Sequence, residues 1–132
     1  MSQANVDVMR DQFAATNERD FPRAMSHYAE DVVLVVSSTL LETGTFEGKE
    51  AVGRWFASWF ATFEPGYHFE FEEIRDLGDR VFIDASHRGR GRTSGAEVTT
   101  RMGYIYTLRD GKITRAELYG SPTEARAALE AE

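Results

Sequence analysis

A chain of 132 residues with 42% hydrophobic and 28% charged side chains has the size and composition of one globular domain, expected over residues 1–132. Its formal net charge of −7 weighs against a nucleic-acid partner or an acidic membrane surface, and the lack of cysteine excludes disulfides, thiol catalysis and zinc–thiolate sites. The apolar runs are far too short to span a bilayer and the N-terminus lacks a basic-then-apolar leader, so a soluble, cytoplasmic protein without a membrane partner is expected.

Val6, Met9 and Phe13 recur at helical spacing, with Asn5 able to cap and Asp7 in the first turn, and predict an amphipathic first helix. Asp20-Phe21-Pro22 breaks it and starts a second, short helix, with Ala24, Met25 and Tyr28 facing inward. The apolar run from Val32 to Val36 does not alternate and predicts a strand covered on both sides. Ser37 to Glu47 is polar and reads as a loop.

The stretch from Gly48 to Phe63 organises the rest. Val52, Trp55, Phe56, Trp59, Phe60 and Phe63 fall at steps of three and four, with Gly48 at the start and Pro65-Gly66 past the end. At roughly 150–250 Å² per aromatic ring, this face needs a large curved apolar surface to cover it. Past the helix the period changes to two. Phe69 and Phe71 alternate with His68, Glu70 and Glu72. Val81, Ile83, Ala85 and His87 alternate with Asp84, Ser86, Arg88 and Arg90, and Val98, Met102, Tyr104, Tyr106 and Leu108 with Thr99, Arg101, Ile105 and Thr107. Asp110-Gly111 is a hairpin turn, a last strand runs from about Lys112 to Tyr119, and Ser121-Pro122-Thr123-Glu124 opens a short tail helix as a capping box. Helices followed by a run of antiparallel strands make an α+β pattern, a sheet bent around the aromatic helix with a cavity where the bend is incomplete.

Several local words resemble the SnoaL-like branch of the nuclear transport factor 2-like (ketosteroid isomerase-like) superfamily. They are Asn17-Glu18-Arg19-Asp20-Phe21, His27-Tyr28-Ala29-Glu30-Asp31-Val32-Val33, Phe46-Glu47-Gly48-Lys49-Glu50-Ala51-Val52 and Leu108-Arg109-Asp110-Gly111-Lys112-Ile113. The resemblance covers nearly the whole chain. It implies a cone-shaped sheet with a pocket between sheet and helices, and a homodimer through the outer sheet face. It does not fix an activity, since isomerases, cyclases, dehydratases, epoxide hydrolases and binding domains share the fold. The catalytic carboxylate of the isomerase-like members aligns with Val36, their first oxyanion donor with Gln12 and their second with Tyr104. The acid/base aspartate of the cyclases aligns with Ser121, which has the duller task of capping a helix.

His87 shares the apolar phase of its strand and is the candidate acid/base, against the plainer reading of a hydrogen-bonded core histidine. Tyr104 is the candidate electrophilic donor. Tyr28, Trp55, Trp59, Met102, Tyr106 and Leu118 are the candidate ligand contacts, for a small apolar organic molecule. His27 and His68 fall on polar phases, and no metal or cofactor is expected. If the pocket does chemistry, cofactor-free proton transfer is implied, by isomerisation, cyclisation or dehydration. A non-catalytic ligand-binding domain is the alternative.

Two registers are open for the last strand. A two-residue turn followed by regular pairing sets Tyr106 beside Arg115 and Tyr104 beside Glu117. A three-residue turn sets Leu108 beside Lys112, Tyr106 beside Thr114 and Tyr104 beside Ala116, with Leu118 also facing in. Burying Arg115 and Glu117 would cost several kcal/mol per ion in desolvation, which favours the second register.

Overall fold

The structure, a computed structural model, describes residues 3–37 and 43–131. The elements are α1 (Gln3–Asn17), α2 (Phe21–Met25), β1 (Tyr28–Val36), β2 (Gly44–Glu47), α3 (Lys49–Ala61), β3 (His68–Asp76), β4 (Arg80–Arg90), β5 (Glu97–Arg109), β6 (Lys112–Tyr119) and α4 (Pro122–Glu130). The strands form one sheet in the order β2-β1-β6-β5-β4-β3, curved and unclosed. Every neighbouring pair is antiparallel except β1 and β6.

Two helices, not one, share the concave face. α3 lies over β1 and β2, while α1 lies over β3 and β4. Asn17 ties the end of α1 to β3 as a strand residue would, accepting from the Phe69 N–H at 2.8 Å and donating to the Phe69 carbonyl at 3.0 Å. Asp20 caps α2 and Ser121 caps α4, each accepting the N–H three residues on, as their sequences predict. Gly48 starts α3 with φ of 93°, a conformation only glycine adopts without strain.

Two expectations about β1 and its surroundings change. Val32, Leu34 and Val36 are buried but Val33 and Val35 only partly so, so the strand alternates. Part of the expected loop, Gly44–Glu47, is the edge strand β2, paired with Val33 to Val36; residues 38–42 lie outside the described residues.

The last hairpin uses neither expected register whole. Asp110 and Gly111 both have positive φ, 52° and 78°, as a two-residue type I′ turn requires, and Arg109 pairs with Lys112. The extra residue sits further on. Leu108 pairs with Ile113 but Thr107 with Arg115, leaving Thr114 as a bulge whose hydroxyl donates to the Thr107 carbonyl at 3.2 Å. Tyr106 therefore stands beside Ala116 and Tyr104 beside Leu118, so the apolar set faces in, and Ile113 takes the core place expected of Thr114. Arg115 and Glu117 face outward, joined at 3.3 Å. Both ions stay off the apolar face, as their desolvation cost requires, but the bulge, not the turn, sets the phase.

The convex face has a cover of its own. α4 packs on Phe82 and Ile105, both fully buried, through Ala125, Ala128 and Leu129. Beside them Asp84, 1% exposed, accepts a bidentate pair of hydrogen bonds from Arg101, and Arg126 of α4 stands 3.6 Å away. Ile105, expected at a dimer face, is thus covered within the chain. On β4, Arg88 meets Glu70 of β3 at 3.7 Å and Arg90 meets Glu97 of β5 at 3.3 Å, while Arg92, just past the strand, donates to the carbonyls of Ala61 and Phe63 at the end of α3.

Candidate functional site

The concave face holds a cavity roofed by α1 and α3 and floored by β3 to β6. α1 supplies Gln12, Phe13 and Thr16; α3 supplies Trp55, Phe56, Trp59 and Phe60; the strands supply Phe69, His87, Met102, Tyr104, Tyr106 and Leu118. Its enclosed space is about 30 Å³, enough for about two water molecules. The depression opens to solvent, and with that open space it measures about 400 Å³. Phe56, Phe60 and Phe69 are the lining residues left half-buried, and they mark the rim.

Trp55 and Trp59 stack at 5.5 Å, one turn apart on α3, and form an apolar wall. On the floor, Tyr104 and Tyr106 stack at 5.8 Å, which follows from their shared phase on β5. His87 is 2% exposed. Its Nε2 is hydrogen-bonded to the Tyr104 hydroxyl and its Nδ1 to the Tyr67 hydroxyl, which also accepts the Trp59 indole N–H at 2.9 Å. The four side chains form one line from the α3 wall to the cavity floor.

Burial pushes the His87 imidazole down to about 3, so it is neutral at neutral pH. Burial likewise holds the hydroxyls of Tyr67 and Tyr104 well above the usual phenol range, so both keep their protons. His87 thus lines the cavity as expected, but both ring nitrogens are engaged and it is not charged. The plainer alternative, a satisfied core histidine, describes it better than a free acid/base.

Of the expected contacts, Trp55, Trp59, Met102, Tyr104, Tyr106 and Leu118 line the cavity. Tyr28 does not: it is buried, and its hydroxyl hydrogen-bonds to Gln12 Nε2 at 3.2 Å, so Gln12 presents the lining group and Tyr28 braces it. Tyr67 is the residue that sequence reasoning missed. It precedes β3 but keeps the inward phase of Phe69 and Phe71, and extending that alternation one step back would have found it. Two features seat it. Gly89 on β4 has no side chain, and a Cβ there would stand 2.9 Å from Tyr67 Cα. Arg19 donates to the Tyr67 carbonyl and lies over the Phe60 ring at 5.1 Å. Among the described residues no group of three or more His, Asp or Glu side chains forms a metal site.

Residues 9–116 match the family model of the SnoaL-like domain, and the chain belongs to that family. Among curated protein sequences none matches it. Solved structures share the fold. TerC, co-crystallised with polyporic acid, is 23% identical with a TM-score of 0.77, over 96% of this chain and 98% of its own. A protein of ketosteroid isomerase-like fold from Catenulispora acidiphila, in complex with trimethylamine, is 22% identical with a TM-score of 0.74, over 91% of this chain and 89% of its own. A candidate polyketide cyclase from Sinorhizobium meliloti is 27% identical with a TM-score of 0.67, over 85% of this chain and 93% of its own. No helix among the described residues is long and apolar enough to cross a membrane.

Proposed function

We propose that the cavity binds a small, flat, largely apolar organic molecule carrying one oxygen that reaches Tyr104. The observation that supports this is the Tyr104 hydroxyl, braced from behind by His87, in a cavity lined mainly by aromatic and aliphatic side chains with Gln12, Thr16 and Tyr106 as its other polar groups. Relatives of the same fold hold small organic molecules, which agrees with the reading. The chain has two tryptophans and both line the cavity, so their fluorescence reports occupancy directly. Titration with 1-indanone should quench it, and Tyr104→Phe should weaken that binding about tenfold, the worth of one hydrogen bond of about 1.5 kcal/mol. Indane, the same skeleton without oxygen, should bind both proteins alike. Equal 1-indanone affinity for both proteins would reject Tyr104 as the contact.

The second reading is a cofactor-free proton-transfer enzyme of the isomerase, cyclase or dehydratase kind. It is favoured by the same hydroxyl, because a donor to a ketone oxygen also stabilises the enolate. Against it, no carboxylate stands among the described lining residues and His87 has no nitrogen free to take a proton. Deuterium exchange at C2 of 1-indanone in D₂O separates the two. The binding reading expects no acceleration by the protein.

A homodimer through the outer sheet face belongs to the same proposal. Its support is the outer face of β5 and β6 beside α4, where Thr99, Arg101 and Arg115 stay exposed. Light scattering at micromolar concentration should give a mass near twice 14.9 kDa; a mass near 14.9 kDa itself rejects it.

A further inference from the structure

The line Trp59–Tyr67–His87–Tyr104 carries more information than its distances. Trp59, Tyr67, neutral His87 and Tyr104 each bring one polar proton, and three hydrogen bonds join them, so one proton is left over. The Trp59 N–H can only donate, which fixes the first bond toward Tyr67. Two arrangements of the other two bonds remain. If Tyr67 donates to Nδ1, His87 carries its proton on Nε2 and gives it to Tyr104, and the spare proton is that of Tyr104. If Nδ1–H donates to Tyr67 instead, Tyr104 donates to Nε2, and the spare proton is that of Tyr67. Tyr104 lines the cavity, where water or a ligand can accept. Tyr67 does not line it, and among the described residues its hydroxyl has no acceptor other than His87. The second arrangement buries a donor without a partner, a large penalty for a group that has an alternative.

We infer that Trp59 and Tyr67 act as positioning residues that hold His87 as the Nε2–H tautomer, so that Tyr104 presents a proton, not a lone pair, to the ligand. The site then selects an acceptor oxygen, a carbonyl or enolate, over a group that can only donate, such as an ammonium. This rests on the cavity being the ligand site, but the tautomer can be measured without any ligand.

The experiment is ¹⁵N NMR of histidine side chains at neutral pH in the double variant His27→Asn, His68→Asn, where His87 is the sole histidine. The expected spectrum shows a protonated Nε2 and an unprotonated, hydrogen-bonded Nδ1. Tyr67→Phe on that background removes the donor to Nδ1, so the two nitrogens should move toward a mixture of tautomers. The same change should narrow the preference for 1-indanone over indane several-fold. A protonated Nδ1 before the Tyr67 change overturns the inference, as does a Tyr67→Phe spectrum identical to its parent. Should Tyr67→Phe not fold, the parent spectrum alone decides. If the spectra are as expected and neither 1-indanone nor indane binds, the tautomer stands and the reading of the cavity fails.

Discussion

Acidification from pH 6.5 to about 3 should remove ~4–5 kcal/mol of folding stability through His87 alone. The folded imidazole is held neutral by burial, while in the unfolded chain it takes up a proton near 6.5. Between those two values the unfolded state binds more protons than the folded one, so stability rises with pH across the window and levels off above it. Each pH unit inside the window is worth about 1.4 kcal/mol. The carboxylates with a lowered folded value, Asp11 beside Arg23 and Glu73 beside Arg75, also lose stabilisation on acidification, but only below about pH 5. The interval from pH 6.5 to 5 therefore sets these carboxylates aside, and comparison with a His87 variant leaves the contribution of His87 alone. Urea unfolding at these two values should show a fall of ~2 kcal/mol in the wild type beyond that in His87→Gln, which can still hydrogen-bond the tyrosines but does not titrate. Equal falls in the two proteins would mean that His87 is accessible enough to be charged.

Gly103→Val should lose ~3–5 kcal/mol and release the C-terminal helix. Gly103 lies on β5 between Met102 and Tyr104 but faces the convex side. A Cβ there would stand 2.5 Å from Ala125 Cβ, 2.9 Å from Pro122 Cα and 2.9 Å from the Ser121 carbonyl oxygen. Two of these are backbone atoms, so the clash is relieved only by lifting α4. Phe82 and Ile105, fully buried beneath it, would then meet water. Hydrogen exchange should show the α4 amides unprotected, with the amides of β4 and β5 still slow. A loss under 1 kcal/mol with α4 still protected would show that this helix is not seated on Gly103.

The parts of the fold visible in the sequence are those set by local pattern. The alternation in β4 and β5 placed Ile83, Ala85, His87, Met102, Tyr104 and Tyr106 on the inner face, and side-chain chemistry marked the caps at Asp20 and Ser121. What was not visible depends on atoms distant in sequence. The phase of β6 is set by a bulge at Thr114, whose hydroxyl finds its acceptor on the neighbouring strand, so no local word signals it. β2 exists because Val33 to Val36 offer it an edge. Ile105 stands on the convex face of β5, and a tail helix of alanines gave no sign in the sequence that it would cover that residue.

The site followed the same division. His87 and Tyr104 were found from phase, but the two tyrosines on either side of the imidazole, which change its role from free base to brace, come together only through the pairing of β3, β4 and β5. Gln12 was recognised as a donor by alignment, and its bond to Tyr28 turns one expected contact into the support of another.

The most direct test of the central claim is a crystal structure of the protein grown with 1-indanone. The ring system should lie against Trp55 and Trp59, with its oxygen about 2.6–3.2 Å from Tyr104 Oη, a hydrogen-bond distance. A ketone bound outside the cavity, or inside it with the oxygen turned to the mouth and away from Tyr104, would contradict it.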